Sequence, residues 1–404
     1  MSAPPVEHYD PWAGATARRD AYRRLLNSGG RVAFAGCIGV ALLALALLLG
    51  NIVSEAFGLV ATVDERDRDG LVEGRAFTEL SREDLARLLR QELSAGGLTR
   101  LEEERPLEER SLDDLRALVL ARIVEPDVVG VWPLHESLLR RDAITAEVAA
   151  EEPGARLEFR SWLNWQFLTS PMASEPLEAG IRTAILGTLW VVSIAVLVAV
   201  PLGVAAAIYL EEFARNTRTT RLLRACITNL AGVPSIIYGM LGLVVFVRWG
   251  EALTGGRSIL AAALALALLL LPIVIINAQE AIRAVPRSVR EASMALGASP
   301  LYTVWHIVLP AARPGILTGT ILAMSQAIGE TAVLIAVGAA TFIAFDPSGP
   351  HSAFTVLPIQ IFNWTLRPQE EFRHLAAAAI LVLLALLLSL NAVAIALRAR
   401  LRGE

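Results

Sequence analysis

The 404-residue sequence contains no lysine, only two cysteines and few charged residues. Because the Walker A motif requires a lysine, this chain carries no P-loop for ATP. The two cysteines, Cys37 and Cys226, are too few for a disulfide framework or a cysteine-rich metal site. Charged residues make up 19% of the chain, against about 25% in soluble domains, and the mean hydropathy is +0.52. The low fraction of charged residues and the positive mean hydropathy indicate a membrane protein. A net charge of -4 does not favour nucleic acid as a partner.

Six apolar stretches are each long enough to cross about 30 Å of hydrocarbon as a helix. They are residues 32–53, 181–210, 225–249, 259–281, 315–345 and 375–397. The first stretch follows several arginines, exceeds the length of a signal-peptide core and lacks a clear cleavage site. We therefore expect an uncleaved anchor rather than a cleaved signal.

The distribution of arginine predicts the orientation. A cytoplasmic N-terminus places sixteen arginines on the cytoplasmic side and five in the outer loops, leaving aside the long segment 54–178. Since cytoplasmic loops carry the excess of arginine, both termini are predicted to be cytoplasmic. The segments are then a tail 1–31, a first transmembrane helix 32–53, an extracytoplasmic insert 54–178, a five-helix transmembrane domain 179–397 and a tail 398–404.

The insert is predicted to be mainly helical. Residues 80–93 and 111–124 are amphipathic, and Ser81 with Asp84 and Ser111 with Asp114 fit N-terminal capping boxes. Gly96-Gly97 would end the first helix, and Pro126 the second. Between Glu55 and Glu175 there are 26 acidic and 15 basic residues but one histidine, His135, so a metal site is not expected. The insert contacts a partner or is a solvated addition, and residues 162–167, which are rich in aromatics, could lie at the membrane interface.

A loop at about 286–314 carries the strongest local pattern. Ser288 and Glu291 fit a capping box for one short helix, which Gly297 would end in a left-handed conformation. Ser299 and Pro300 would begin a second helix, with Pro310 and Pro314 at its end. The small residues Ala292, Ser293 and Ala295 allow another surface to approach closely, although a plain connector between spans is the alternative. Further along the segment lie Ile307, Leu309 and Pro310.

The spacing E-A-x-x-x-x-G from Glu291 to Gly297, followed by I-x-L-P at Ile307 to Pro310, resembles the signature of permease subunits of binding-protein-dependent ABC importers. Ser293 stands where that signature usually has alanine. The resemblance implies an all-α membrane protein with six transmembrane helices in the type I permease fold. It also implies that the 286–314 loop carries a coupling helix that docks on a separate ATPase. ATP and Mg would be bound by that partner, and this chain would have no catalytic residue, cofactor or metal.

Three further stretches resemble permeases of the phosphate-specific PstA type, over about residues 177–397. They are GVAAAIYLEE at 203–212, AGVPSIIYG at 231–239 and Gly329-Glu330-Thr331. This resemblance implies one half of a path for inorganic phosphate in a bacterial inner (plasma) membrane. It implies as partners a PstC-like permease subunit, a PstB-like ATPase dimer, a PstS-like phosphate-binding protein and membrane lipid, without nucleic acid. Candidate path residues are Pro234, Ser235, Gln326, Gly329, Glu330 and Thr331.

The chemistry of two of these residues, Pro234 and Glu330, predicts their surroundings independently of the resemblance. Pro234 removes a backbone donor inside a span, so the helix there should be distorted, facing a path or packing closely. Glu330 places a costly carboxylate within a span, where it should face the protein interior with a partner. We expect an arginine partner within the path, or alternatively a structural pairing with the second permease subunit. Hydroxyl groups such as those of Thr331 and Ser325 would then help to hold phosphate.

The chain departs from the PstA-type pattern next to Glu330. Gln326 stands where such chains commonly have arginine, and Val333 where they have proline. The missing positive charge leaves room for another cargo, such as sulfate or molybdate. A membrane sensor that reads a signal through the insert is a third possibility, but the short predicted cytoplasmic segments argue against it.

Overall fold

The computed structural model describes residues 13–64, 77–93, 98, 101–102, 106–124, 126–340, 342–343 and 345–402. The chain divides into two compact units, Met1–Val53 and Ser54–Glu404. The predicted helix end at Gly96-Gly97 lies outside the described residues. The α-helices are α1 Ala13–Ala56, α2 Arg82–Glu92, α3 Leu112–Val119, α4 Leu134–Leu139, α5 Arg141–Glu151, α6 Trp165–Thr169, α7 Arg182–Ile208, α8 Arg218–Leu230, α9 Ser235–Gly242, α10 Glu251–Thr254, α11 Ile259–Arg283, α12 Arg287–Ala295, α13 Pro300–Thr303, α14 Leu309–Gly329, α15 Ala332–Val337, α16 Leu357–Thr365 and α17 Glu371–Arg402.

Five helical stretches in the described part of the chain are long and apolar enough to cross a membrane. They are Ala33–Ala56, Arg182–Phe213, Ile259–Arg283, Pro300–Gly329 and Glu371–Arg400. A sixth span is formed if α8 and the Ser235–Trp249 stretch, bent by 102° from each other, count as one. The predicted 315–345 span is wrong in its bounds, because α14 ends at Gly329 and only the short α15 follows.

The Ser54–Glu404 unit has its main core around α11. This helix is rich in alanine and packs most extensively along α7 and α14. Small side chains allow the backbones of neighbouring helices to approach closely, which is a common basis of helix packing in membranes. A methyl group added at Gly203 of α7 would lie 2.7 Å from Val274, so the two helices touch at that level.

The predicted helical insert also contains a three-stranded antiparallel sheet, which the sequence analysis missed. The strands are β1 Phe57–Asp64, β2 Pro126–Pro133 and β3 Arg156–Ser161, in the order β2-β1-β3. Pro126, the predicted helix stop, is the first residue of β2. Buried Ile144 and Val148 of α5 pack on Leu59 and Ala61 of β1. The alternation of side chains in such short strands gives a weak signal beside the long helical patterns.

Both predicted capping boxes of the insert are confirmed. The Ser81 and Ser111 hydroxyls accept hydrogen bonds from the backbone N–H groups of Asp84 and Asp114, and each aspartate returns a bond to the cap residue's N–H. Helices α2 and α3 pack together over a separate small core containing Leu85, Leu89 and Leu115. This helical pair is thus stabilised by its own buried leucines, apart from the sheet.

Of the aromatic residues in 162–167, which are predicted to lie at the membrane interface, only Trp165 is exposed. Trp162 and Phe167 are buried, at 2% and 3% exposure, whereas Trp165 is 77% exposed. Trp162 stacks on His374 of α17 with the ring centroids 6.0 Å apart, and Phe167 lies against Trp364 of α16. These two rings belong to the interior because neighbouring helices cover them.

Candidate functional site

The 286–314 loop forms two short helices, as the sequence predicts, but their ends differ in part. Helix α12 begins after Pro286, which has no side-chain cap bond, so the predicted Ser288–Glu291 capping box is wrong. Gly297 has φ +86°, which confirms the left-handed end of α12. The Ser299 hydroxyl accepts a hydrogen bond from the Tyr302 N–H, with Pro300 at the start of α13, as predicted.

Pro310 and Pro314 do not end the second helix, contrary to the prediction. Helix α13 passes through a π-helical turn, Val304–Val308, directly into α14. Pro310 stands in the first turn of α14, and Pro314 lies inside that helix. A wide π-turn alters the backbone pairing ahead of the prolines, which helps the chain to accommodate them without a break. The chain is therefore continuously helical from Pro300 to Gly329.

A hydrogen bond joins the two helices of the loop. The hydroxyl groups of Ser293 in α12 and Thr303 in α13 lie 2.9 Å apart. Thr303 is buried, with 3% exposure. The serine at the position where the permease signature usually has alanine therefore has a local role, which is to hold α12 against α13.

The outer face of the loop is exposed and partly apolar. Glu291 and Ala292 are exposed, whereas Ile307, Leu309 and Pro310 are half-buried towards the bundle. Leu296 is 89% exposed, and four other large side chains, Met294, Leu301, Tyr302 and Trp305, are also exposed. Contiguous exposed apolar side chains mark surfaces that bind other proteins. The loop thus presents a surface suited to docking.

Two adjacent carboxylates, which the sequence did not single out, pair with arginines where this loop meets the bundle. Glu211 and Glu212 lie in a π-helical turn, Tyr209–Phe213, that continues α7. Arg290 of α12 contacts the Glu212 carboxylate through Nε at 3.0 Å and Nη2 at 2.8 Å. Arg283 at the end of α11 contacts Glu211 through Nε at 2.8 Å and Nη2 at 2.7 Å. We call these four residues the arginine–glutamate clamp.

Arg290 also binds the end of α11 directly. Its guanidinium donates to the carbonyl oxygens of Val285, at 2.5 Å, and Ile282, at 2.8 Å. The last carbonyl groups of a helix lack partners within the helix and carry partial negative charge. Arg290 therefore joins α12, α11 and the continuation of α7 at one point. The sequence signal was the E-E pair of the YLEE stretch, together with the arginines that follow the 259–281 span.

The predicted distortion at Pro234 is a full break. Helix α8 ends at Leu230, and α9 starts at Ser235 with Pro234 as its N-cap residue. The Tyr238 hydroxyl donates to the Leu230 carbonyl at 2.7 Å across the break. Pro234 is exposed and Ser235 half-buried. This irregular backbone contains two of the predicted path residues.

Helix α9 packs against α15, so the structure brings the two motif stretches together. A methyl group added at Gly239 would lie 2.6 Å from the Ala336 side chain and 2.8 Å from the Val333 backbone. Only glycine permits this approach without a shift of one helix. The segment after Pro234 and the segment after Glu330 therefore form one packed unit.

Glu330 lies at the second break, between α14 and α15. Its carboxylate Oε1 accepts hydrogen bonds from the backbone N–H groups of Ala332, at 3.1 Å, and Val333, at 3.3 Å. Within the part of the chain that the structure describes, Glu330 has no ion pair with an arginine, so the expected arginine partner stays a prediction. The half-buried carboxylate is held by the first turn of α15.

The other predicted path residues differ in their surroundings. Gln326 and Gly329 are exposed, and nothing lies within 4 Å of the place where a Gly329 side chain would stand. The half-buried Thr331 directs its hydroxyl to the Gly329 carbonyl at 3.4 Å. The hydroxyl of Ser325, which is expected to help hold phosphate, lies 2.7 Å from Asn391 Oδ1 of α17 and 2.9 Å from the Ile321 carbonyl oxygen. The open side of this break is thus lined by Gln326, Gly329 and Glu330.

The sequence matches known proteins over the part of the chain that contains this region. The family described as "Binding-protein-dependent transport system inner membrane component" matches residues 199–403. The probable ABC transporter permease protein YqgI of Bacillus subtilis is 36% identical over 208 residues, covering 50% of this chain and 68% of that protein. The phosphate transport system permease protein PstA 1 of Mycobacterium tuberculosis is 38% identical over 206 residues, covering 51% and 66%. This chain thus spans about two thirds of the length of these relatives.

Among solved structures, the chain is similar to one of the inward-facing MetNI methionine ABC transporter. The identity is 18%, the match covers 57% of this chain and 99% of that chain, and the TM-score is 0.42.

Proposed function

We propose that this chain, which belongs to the family of binding-protein-dependent transport system inner membrane components, forms half of a translocation path for inorganic phosphate. Membership of this family identifies the chain as a multi-pass inner-membrane permease subunit of an ABC importer. The proposal concerns its cargo, its coupling and its partners. Phosphate is favoured by the likeness to PstA proteins.

The observation that carries the proposal is the connection of an exposed loop to a helix break. The 286–314 loop presents an apolar face, and the continuous helix that begins at Pro300 ends next to Glu330. We propose that an ATP-hydrolysing partner, a PstB-like dimer that binds ATP and Mg, docks on this face. Glu291, Ala292, Ser293 and Gly297 of the loop would lie nearest to it, on the cytoplasmic side with both termini.

We further propose that the second half of the path comes from a PstC-like subunit and that a PstS-like protein delivers phosphate. The broken helices support a path at this place, because irregular backbone is tolerated in a membrane where it is covered by protein or lines a water-filled cavity. Gln326, Gly329, Glu330, Thr331, Pro234 and Ser235 of this chain would then line the path. The Glu330 carboxylate would repel a phosphate anion unless cationic groups of the partner subunit offset it.

The test is uptake of radiolabelled phosphate at low external concentration, in cells that lack other high-affinity phosphate importers and that contain the partner subunits. Cells with the chain are compared with cells without it and with cells carrying Glu330→Gln. Glutamine retains an oxygen that can accept from the Ala332 and Val333 N–H groups but has no charge. We expect the variant complex to assemble and uptake to be lost.

Sulfate and molybdate uptake are measured in the same strains. Loss of phosphate uptake alone supports the proposed cargo. Unchanged phosphate uptake without the chain contradicts it, and a loss of sulfate or molybdate uptake would point to the uncharged Gln326 as the reason. If Glu330→Gln transports normally, the proposed role of the carboxylate is wrong.

A further inference from the structure

Four consecutive residues at the end of α4 form an unusual surface within the acidic insert. Leu138 is 73% exposed and Leu139 is 83% exposed. They are followed by Arg140 and Arg141, both exposed and without an ion pair among the residues that the structure describes. Two adjacent leucines fully open to water are costly unless something apolar covers them.

The contacts of α4 place these residues beside the ends of the spans. β2 leads directly into α4, and its last residue, Pro133, pairs with Gly58 at the start of β1. The His135 N–H donates to the Ser54 hydroxyl at 3.1 Å. The buried Ser137 hydroxyl accepts from the Leu59 N–H at 2.9 Å. Leu138 and Leu139 therefore lie within about one helical turn of the point where the chain leaves its first apolar helix.

The last apolar helix reaches the same level. His374, in the first turn of α17, has its Nδ1 atom 2.6 Å from the carbonyl oxygen of Glu55. Glu55 is next in sequence to Ser54, which contacts α4. Residues 54 and 55 and the first turn of α17 are thus fixed at one level, and each adjoins an apolar stretch long enough to cross the hydrocarbon.

An exposed aromatic side chain lies where another span begins. Trp165 of α6 is 77% exposed. The Ile181 N–H donates to the Phe167 carbonyl at 2.8 Å, and Arg182 Nη1 donates to the Thr169 carbonyl at 2.6 Å. Helix α6 is therefore tied to the start of α7. Tryptophan is enriched at this depth because its ring is apolar and its N–H is polar.

We propose that these five residues form a membrane-proximal face of the insert that binds the phospholipid headgroup layer. Leu138, Leu139 and Trp165 would enter the boundary with the acyl chains, and Arg140 and Arg141 would contact the lipid phosphates. Glu136 and Asp142 flank the four residues, and Glu136 lies 3.8 Å from His135. The attraction therefore depends on the apolar side chains, with the arginines setting the depth. The insert would thereby have a fixed position at the membrane surface.

The test uses nitroxide labels on the full-length chain in lipid nanodiscs of phosphatidylcholine and phosphatidylglycerol. Cys37 and Cys226 are first replaced by alanine, and single labels are placed through Leu138→Cys, Leu139→Cys or Trp165→Cys. The control is Ala150→Cys, on the exposed face of α5 near its other end. Collisions with oxygen, which partitions into lipid, are compared with collisions with a water-soluble nickel chelate.

We expect the three labels to favour oxygen over nickel and the Ala150→Cys label to favour nickel. The Arg140→Gln/Arg141→Gln variant should keep the oxygen preference at residues 138 and 139 with a changed apparent depth. Labels at 138 and 139 as open to nickel as the control would overturn the proposal. Labels closed to both reagents would also overturn it, because they would show that protein, such as a second copy, covers this face.

Discussion

Breaking the contact between Arg290 and Glu212 should uncouple the 286–314 loop from the bundle. The two side chains are 17% and 12% exposed. Removing one partner from a buried ion pair costs about 3–5 kcal/mol, because the remaining charge is left without compensation. In Glu212→Gln, Arg290 keeps the carbonyl groups of Ile282 and Val285, so we take the lower end, about 3 kcal/mol. That corresponds to about a hundredfold lower population of the correctly placed α12.

The assay combines two measurements on Glu212→Gln, Arg290→Gln and the double variant. Phosphate uptake reports the proposed coupled function, and thermal unfolding of the purified chain in detergent reports stability. The matched control is Arg221→Gln, at an exposed arginine of α8 that has no ion pair among the described residues. We expect both single variants to lose uptake, and the double variant to lose no more than the worse single one, because the two residues act as one contact.

A charge exchange gives a sharper test of the geometry. Glu212→Arg combined with Arg290→Glu restores the pair but places a carboxylate against the carbonyl groups of Ile282 and Val285. Recovery of uptake should therefore be partial. The reasoning is refuted if either single variant behaves like Arg221→Gln, or if the losses of the single variants simply add in the double variant.

Three smaller changes probe packing and backbone shape through thermal unfolding in detergent. Gly239→Ala should lower the free energy of unfolding by about 1–3 kcal/mol, because its methyl group would collide with α15. Gly329→Ala, in open space, should lower it by less than about 1 kcal/mol. Equal effects of the two substitutions would contradict the packing argument. Ser293→Ala should lower the free energy of unfolding by about 1 kcal/mol, because the hydrogen bond to Thr303 is lost. An unchanged unfolding temperature would show that this hydrogen bond is not formed. Gly297→Ala should cost about 1 kcal/mol from its positive φ alone, since no atom lies within 4 Å; Ala295→Gly is the control for a general loss of helix in α12.

Local signals in the sequence predicted the local parts of the structure. Capping residues such as Ser81 and Ser299 act within four residues, so their pattern is visible in the chain. The left-handed Gly297 and the break at Pro234 follow from the same kind of short-range rule. The predicted Ser288 cap is wrong because Pro286, two residues earlier, is already the N-cap residue of α12.

Contacts between distant residues could not be predicted in this way. Arg290 and Glu212 are 78 positions apart, and no periodic pattern reveals that they meet. The surroundings of Glu330 were also not foreseen in full. Two backbone N–H groups of α15 supply donors to its half-buried carboxylate, and the expected arginine partner stays a prediction. The sheet of the insert was missed because three short strands separated by helices leave no sustained alternation.

The continuous helix from Pro300 to Gly329 links the two parts of the candidate site, which are the 286–314 loop and the helix break at Glu330. At 1.5 Å per residue, its 30 residues extend about 45 Å, more than the thickness of the hydrocarbon layer. Had Pro310 and Pro314 ended the helix, a displacement of the loop would be absorbed at a hinge beside it. Because the helix continues through these prolines, we expect a shift of α13 to reach its far end, where Glu330 binds α15. A docking partner at Leu301 and Trp305 would therefore act on the break through one helix, and the clamp at Arg290 would hold α12 in place while that helix moves.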